Sequence, residues 1–134
     1  MSENRKSRVL PHSAEAERAV LGAMLRREEN LSVALGQLTE EDFYLPAHRT
    51  LFTLMGDLHG AAKPVDDVSL VERLDHAHKL REVGGVTYVT ELREALPVLG
   101  NFAYYMGLIK EKSTLRQLIG VGEEIVEDAF ESED

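Results

Sequence analysis

The segment from Asn101 to Phe130 contains no proline and carries apolar residues at helical spacing. Leu108, Lys112, Leu115, Ile119, Gly122, Val126 and Ala129 step by four and three in alternation. That is the seam spacing of a helix packing along another helix. Thirty residues at ~1.5 Å rise reach roughly 45 Å. A head of about a hundred residues cannot cover such a length, so part of the stripe is left for a partner. The segment therefore points to assembly rather than catalysis. Gly107, Gly120 and Gly122 interrupt it, each costing about 1 kcal/mol relative to Ala in a helix interior. The pair at 120 and 122 marks either a kink or the close approach of a neighbouring helix.

The chain has 134 residues, the size of one domain. Its 43% apolar content is enough for one core. With no Cys it has neither disulfides nor zinc-thiolate sites, which fits a reducing compartment. No apolar run approaches a membrane span, and no signal core follows the basic Arg5-Lys6-Ser7-Arg8, so the expected location is the cytoplasm. Net charge is −9, and the last twelve residues hold seven acids and no base; without them it is −2. Such a chain lacks the general attraction to phosphate that dominates nucleic-acid affinity. Acids at a helix C-terminus oppose the macrodipole, so the tail is expected to be solvated and frayed.

All elements read as helical. Residues 1–10 form a flexible arm and residues 11–100 a compact head of about five to six helices. Ser13 is an N-cap, Glu15 and Glu17 suit the first turns, and Val20, Leu21, Met24 and Leu25 share a face. A short helix follows from Asn30 to Gly36. Thr39-Glu40-Glu41-Asp42 has capping-box form, and Pro46 opens a helix with the stripe Leu51, Phe52, Met55 and Leu58, stopped at Gly60. Asp66 and Asp67 cap the next helix, and Gly84-Gly85 punctuates the chain. Val86-Thr87-Tyr88-Val89-Thr90 has strand propensity but no pairing partner, so the stretch is read as helix, closed by Pro97 and Gly100. Residues 101–134 are the long helix with its acidic end, Asn101 serving as N-cap.

Enzymatic chemistry is not signalled. There is no phosphate loop, no dinucleotide turn and no nucleophile elbow. His76 and His78 lie two apart beside Asp75, a spacing that points them in different directions on a helix. They read as surface histidines, and no metal ligand or catalytic residue is assigned.

Several blocks nevertheless resemble one family. Pro11-His12-Ser13-Ala14-Glu15-Ala16-Glu17-Arg18-Ala19-Val20-Leu21-Gly22 resembles the opening of bacterial DnaB-type replicative DNA helicases. So do Asp42-Phe43-Tyr44 with His48 and Leu51-Phe52, and Pro64-Val65-Asp66 with Leu70 and Leu74. Leu80-Arg81-Glu82-Val83-Gly84-Gly85 with Tyr88 and Leu92 is the most specific block. Asn101, Tyr105, Ile109, Glu111-Lys112, Arg116 and Leu118-Ile119 continue in family order. The chain departs at His78, where the family has Gly, so the end of the preceding helix is expected to differ.

The resemblance implies a non-catalytic N-terminal domain of a hexameric helicase that uses ATP to travel along single-stranded DNA. No cofactor is expected in this piece; ATP and Mg belong to the parent's ATPase domain. The domain would form a collar with other helicase subunits and dock DnaG-type primase, without strong nucleic-acid binding of its own and without membrane contact. The long helix would be the first arm of a truncated helical hairpin. For primase docking the family surface maps onto Tyr88, Arg116, Ile119, Ile125 and Glu15. The competing readings make Tyr88 a core aromatic, pack Ile119 and Ile125 under the head, and pair Arg116 with Glu111 or Glu123. For self-association the residues are Leu115, Leu118, Gly122, Val126 and Phe130. The alternative function is a small helical DNA-binding regulator; such a protein needs a basic face, and only the arm with Arg5, Lys6 and Arg8 offers one. A small hydrolase or metal enzyme is the third reading.

Overall fold

The computed structural model describes residues 9–95 and 101–133, and among them every regular element is helical. In chain order these are α1 (Ala14–Arg26), α2 (Glu28–Gln37), a 3-10 turn (Glu40–Asp42), α3 (Pro46–Gly60), α4 (Asp67–His76), α5 (Leu80–Val83), α6 (Gly85–Glu94) and α7 (Phe102–Glu131). The first six helices build the head. The arm expected at 1–10 lies outside the described residues except Val9 and Leu10, as do Pro97, Gly100 and Asp134.

Local chemistry sets the helix starts. Ser13 Oγ accepts from the Ala16 N–H at 3.1 Å. The Thr39 N–H donates to Asp42 Oδ2 at 2.8 Å, closing the 3-10 turn. Asp66 Oδ1 accepts from the Ser69 N–H at 2.8 Å while Ser69 Oγ accepts from the Asp66 N–H at 2.9 Å. This is a capping box with Ser in the position usually held by Glu. Val86–Thr90 is helical, as read from the absence of a strand partner, and it buries Val89 and Leu92.

Helix α1 is the central element. It packs against α2, α6 and α7, and Ala16, Val20, Leu21 and Met24 are essentially without solvent contact. Around it the core is filled by Leu51, Met55, Leu70, Leu74, Val89, Leu92, Met106 and Ile109.

Two helix ends turn through a left-handed residue that is not glycine. Helix α3 stops at Gly60, as expected, but the left-handed residue that reverses the chain is Ala62, whose φ is 58°. The Lys63 N–H bonds the Leu58 carbonyl at 2.9 Å and the Ala62 N–H bonds that of His59 at 3.0 Å, the paired bonds of a Schellman turn. The same pair closes α4, from Lys79 to Leu74 and from His78 to Asp75, with His78 at φ 59°. The turn at His78 therefore keeps a geometry suited to glycine, and a side chain is forced into it. Left-handed backbone costs a non-glycine residue about 1 kcal/mol. Ala62→Gly and His78→Gly are each expected to raise stability by roughly 0.5 to 1 kcal/mol, the relief exceeding the entropic cost of glycine. Thermal melting of the two single variants and the double variant checks this. At Gly84 (φ 112°) and Gly85 (φ 77°), by contrast, the sequence already holds glycine.

Helix α7 docks on the head through Phe102, Tyr105, Met106, Ile109, Ser113 and Arg116. Every residue from Gln117 to Glu133 is exposed. The helix has no break at Gly120 or Gly122. It persists to Glu131, and Ser132 N–H and Oγ both donate to the Asp128 carbonyl. Asn101 stands at the N-cap position, but its side chain does not cap; its carbonyl accepts from the Tyr105 N–H at 3.0 Å.

Candidate functional site

Phe130 lies only about 70° around the helix from the residues of α7 that face the head, but at ~100° per residue Leu115, Leu118, Gly122 and Val126 lie roughly 140° from them. They are not the overhang of one stripe, as the spacing suggested, but a second face turned away from the domain. Leu115 is 38% exposed, Leu118 62%, Val126 47% and Phe130 73%. Gly122 lies among them with open space where its Cβ would be. Leu108 packs against the core edge and Lys112 is half-buried, so the first two steps of the expected seam flank the head.

The root of α7 is fixed by charge. Asp42, buried at the 3-10 turn, accepts from Ser113 Oγ at 2.8 Å and from Lys110 Nζ at 3.0 Å, besides Thr39. Burial pushes its carboxyl up, but these donors outweigh that and hold it below its ordinary value. Arg116 donates from Nη1 to the Pro11 carbonyl and from Nη2 to the Asp42 carbonyl, each at 2.8 Å. Its guanidinium lies 5.5 Å from the Tyr44 ring centroid. Lys110, Ser113 and Arg116 recur every three residues, so one edge of the helix presents all three donors to one turn. Arg116 thus pairs with neither Glu111 nor Glu123; its fork joins α7 to the entry of α1.

A polar network under α1 was missed in the sequence. Glu17 is 1% exposed and His48 also 1%. The Glu17 carboxylate accepts from His48 Nδ1 at 2.7 Å, from the Tyr44 N–H at 2.7 Å and from the Leu45 N–H at 3.4 Å. A carboxylate only accepts, so Nδ1 carries the hydrogen. Nε2 is left to pair with the Tyr88 hydroxyl at 2.6 Å. Burial raises the Glu17 carboxyl, yet the donors from His48, Tyr44 and Leu45 prevail and lower it. Burial raises the Tyr88 hydroxyl, with Arg18 opposing. The signal was present: Glu17 stands three and four residues before Val20 and Leu21, and His48 three and four before Leu51 and Phe52. Each is a polar residue at a core-facing position.

The expected docking residues divide into two groups. Glu15 is exposed on the first turn of α1 and shares a face with Arg18, which lies beside Tyr88. Arg116 contacts Pro11, at the same end of α1. Tyr88 is half-buried, packed on the core and bonded inward through its hydroxyl. Ile119 is 37% exposed, one turn beyond Arg116, and not under the head. Ile125 is 64% exposed but points away from Arg116, among Leu118, Gly122 and Val126. No group of three metal-ligating side chains occurs among the described residues, and none of their helices is long and apolar enough to cross a membrane.

Residues 9–111 match the family model described as the DnaB-like helicase N terminal domain. The replicative DNA helicase DnaB of Geobacillus stearothermophilus is 40% identical over 134 residues, all of this chain and 30% of that protein. The replicative DNA helicase DnaC of Bacillus subtilis is 35% identical over the same length, again 30% of that protein. The chain thus spans about 30% of the length of these relatives. Among solved structures, the N-terminal domain of DnaB helicase from Mycobacterium tuberculosis superposes with a TM-score of 0.86 at 34% identity, covering 91% of this chain and 88% of that one. A DnaB-like replicative helicase, studied with its interactions with primase, superposes with a TM-score of 0.72 at 28% identity over 87% of this chain and 27% of that one. An all-helical head carrying a long C-terminal helix, matched in both sequence and structure, places this chain in the DnaB-like helicase N-terminal domain family.

Proposed function

We propose that this domain is a non-catalytic collar of a hexameric replicative helicase, joining subunits through the outer face of α7 and docking a DnaG-type primase. The carrying observation is the apolar face of α7 turned away from the head, with Leu118 62% and Val126 47% exposed. An apolar face of that kind marks an interaction site. In this reading α7 is the first arm of a helical hairpin, completed in a longer protein and packed against a neighbour's hairpin. ATP and Mg act in that protein's ATPase domain, in the cytoplasm. Primase meets the end of the head where Glu15, Tyr88 and Arg116 gather, with Ile119 one turn along; Ile125 joins the subunit face.

Sedimentation equilibrium tests the first half. A chain extended through the second arm associates more tightly than this one, and Leu118→Glu with Val126→Glu abolishes its association. Equal association of the short and extended chains removes the hairpin. Titration with a primase C-terminal domain tests the second half. Glu15→Lys with Ile119→Glu weakens binding at least about tenfold, the loss of about 1.4 kcal/mol. Absence of binding at high micromolar concentration by both chains removes the docking claim.

A further inference from the structure

A cleft of about 660 Å³ opens at the far end of α1, away from the root of α7. It lies between the α1–α2 turn, the loop after α3 and the end of α6. Arg26, Arg27, Lys63 and Arg93 line it, against only Glu28 and Asp66. All four cations are exposed, and among the described residues only Arg93 has an ion-pair partner, Asp67 at 3.6 Å. In a chain of net charge −9 this is a concentrated basic site.

The same chain carries its complement. Past Arg116, the line along which α7 meets the head continues as Glu123, Glu124, Glu127, Asp128 and Glu131. At ~100° per residue these acids lie on the head-facing side, opposite the apolar face. None of them is in an ion pair among the described residues. They do not fill their own cleft. Arg116 sits beside Pro11, one end of α1, while the cleft is beside Arg26 and Arg27 at the other. Every α7 residue beyond Arg116 is exposed.

We infer that the cleft receives the acidic face of α7 from a second copy of this chain. The contact is head-to-tail, so repeating it builds a ring or an open chain rather than a closed pair. It uses a different face from the apolar one and stands without it. A nucleic-acid strand is the competing occupant, but no Phe, Tyr or Trp lines the cleft to stack a base.

The test is zero-length carbodiimide cross-linking, at low ionic strength, of a mixture of unlabelled and isotope-labelled chains. Lys63 is expected to join Glu124, Glu127 or Asp128 in mixed-label pairs, and the yield falls steeply with added salt as screening shortens the range of the charges. Arg26→Glu with Arg27→Glu keeps the amine but reverses the cleft, and lowers that cross-link about fivefold or more. Leu118→Glu with Val126→Glu, which breaks the apolar face, leaves it in place. Sedimentation gives a second readout: the Arg26→Glu/Arg27→Glu chain and a Glu124→Lys/Glu127→Lys/Asp128→Lys chain associate with each other more than either does with itself. Cross-links confined to one label, or indifferent to reversal of the cleft, overturn the inference. So does an oligothymidylate that binds through Arg26 and Arg27 where no Lys63 cross-link forms.

Discussion

Replacing Glu17 with Ala lowers the unfolding free energy by about 3 to 5 kcal/mol, because it strips several buried donors of their one carboxylate. The loss is not one bond. His48 Nδ1 and the Tyr44 and Leu45 N–H groups all donate to that carboxylate. Without it three donors lie at a buried site with no acceptor, each costing about 1 to 3 kcal/mol unless water enters. The pH dependence identifies the cause. The folded carboxyl titrates below its ordinary 4.5. Its stabilisation is therefore complete above that value and is lost as pH falls through the lower folded pKa. Asp42, lowered from 3.8, acts in the same direction further down. Urea titrations between pH 7 and about 3 should show stability falling as acid is added. Glu17→Gln, which keeps the shape, should be less stable at neutral pH and show a shallower slope. An unchanged slope means that Glu17 has no part in the acid response. At the alkaline end Tyr88 has the opposite sign: burial raises its pKa, so its contribution is present below the ordinary value of 10.0 and lost as pH rises through the folded one.

The parts of this fold that were legible in the sequence are those settled within one turn of chain. Ser13, the Thr39–Asp42 pair, Pro46 and Asp66 act on groups within three residues, so spacing alone reveals them. Val86–Thr90 could be read as helix against its propensity because no second strand existed to pair with it. The network is different. Glu17 and His48 are 31 residues apart, His48 and Tyr88 are 40 apart, and Arg116 reaches Pro11 across 105. Periodicity identifies which face is buried but not which polar atom waits on the opposite element. The long helix shows the same limit. Its apolar residues were visible, yet the rotation between head-facing and outward stripes emerges only when Met106 and Ile109 are seen buried and Leu118 exposed. The left-handed turns were the least legible feature. Gly60 ends α3 as it looked, but Ala62 and His78 turn the chain without looking capable of it.

Gly22→Ala and Gly122→Ala, the same substitution on two helices, have opposite expected effects. At Gly22 an added Cβ would stand 2.2 Å from the Leu92 carbonyl oxygen, which belongs to backbone and cannot rotate away. Helices α1 and α6 must separate, and Val89 and Leu92 are both fully packed in the gap. Overpacking of this kind costs about 1 to 3 kcal/mol, and more where backbone must move; we expect about 3 kcal/mol or more, read as a lower urea midpoint with unchanged slope. That contact also gives a physical reason for glycine at the end of the first family block, since the Leu92 backbone fills the space of a side chain there. At Gly122 nothing lies within 4 Å, so Ala adds only helix propensity, about 1 kcal/mol in favour of the isolated domain. Its effect on association is the informative one. If a neighbouring helix crosses at Gly122, a methyl group there holds the backbones apart, and Gly122→Ala weakens self-association about tenfold while stabilising the monomer. A variant gaining both stability and association would remove Gly122 from the seam and shift the subunit contact to Leu118, Val126 and Phe130.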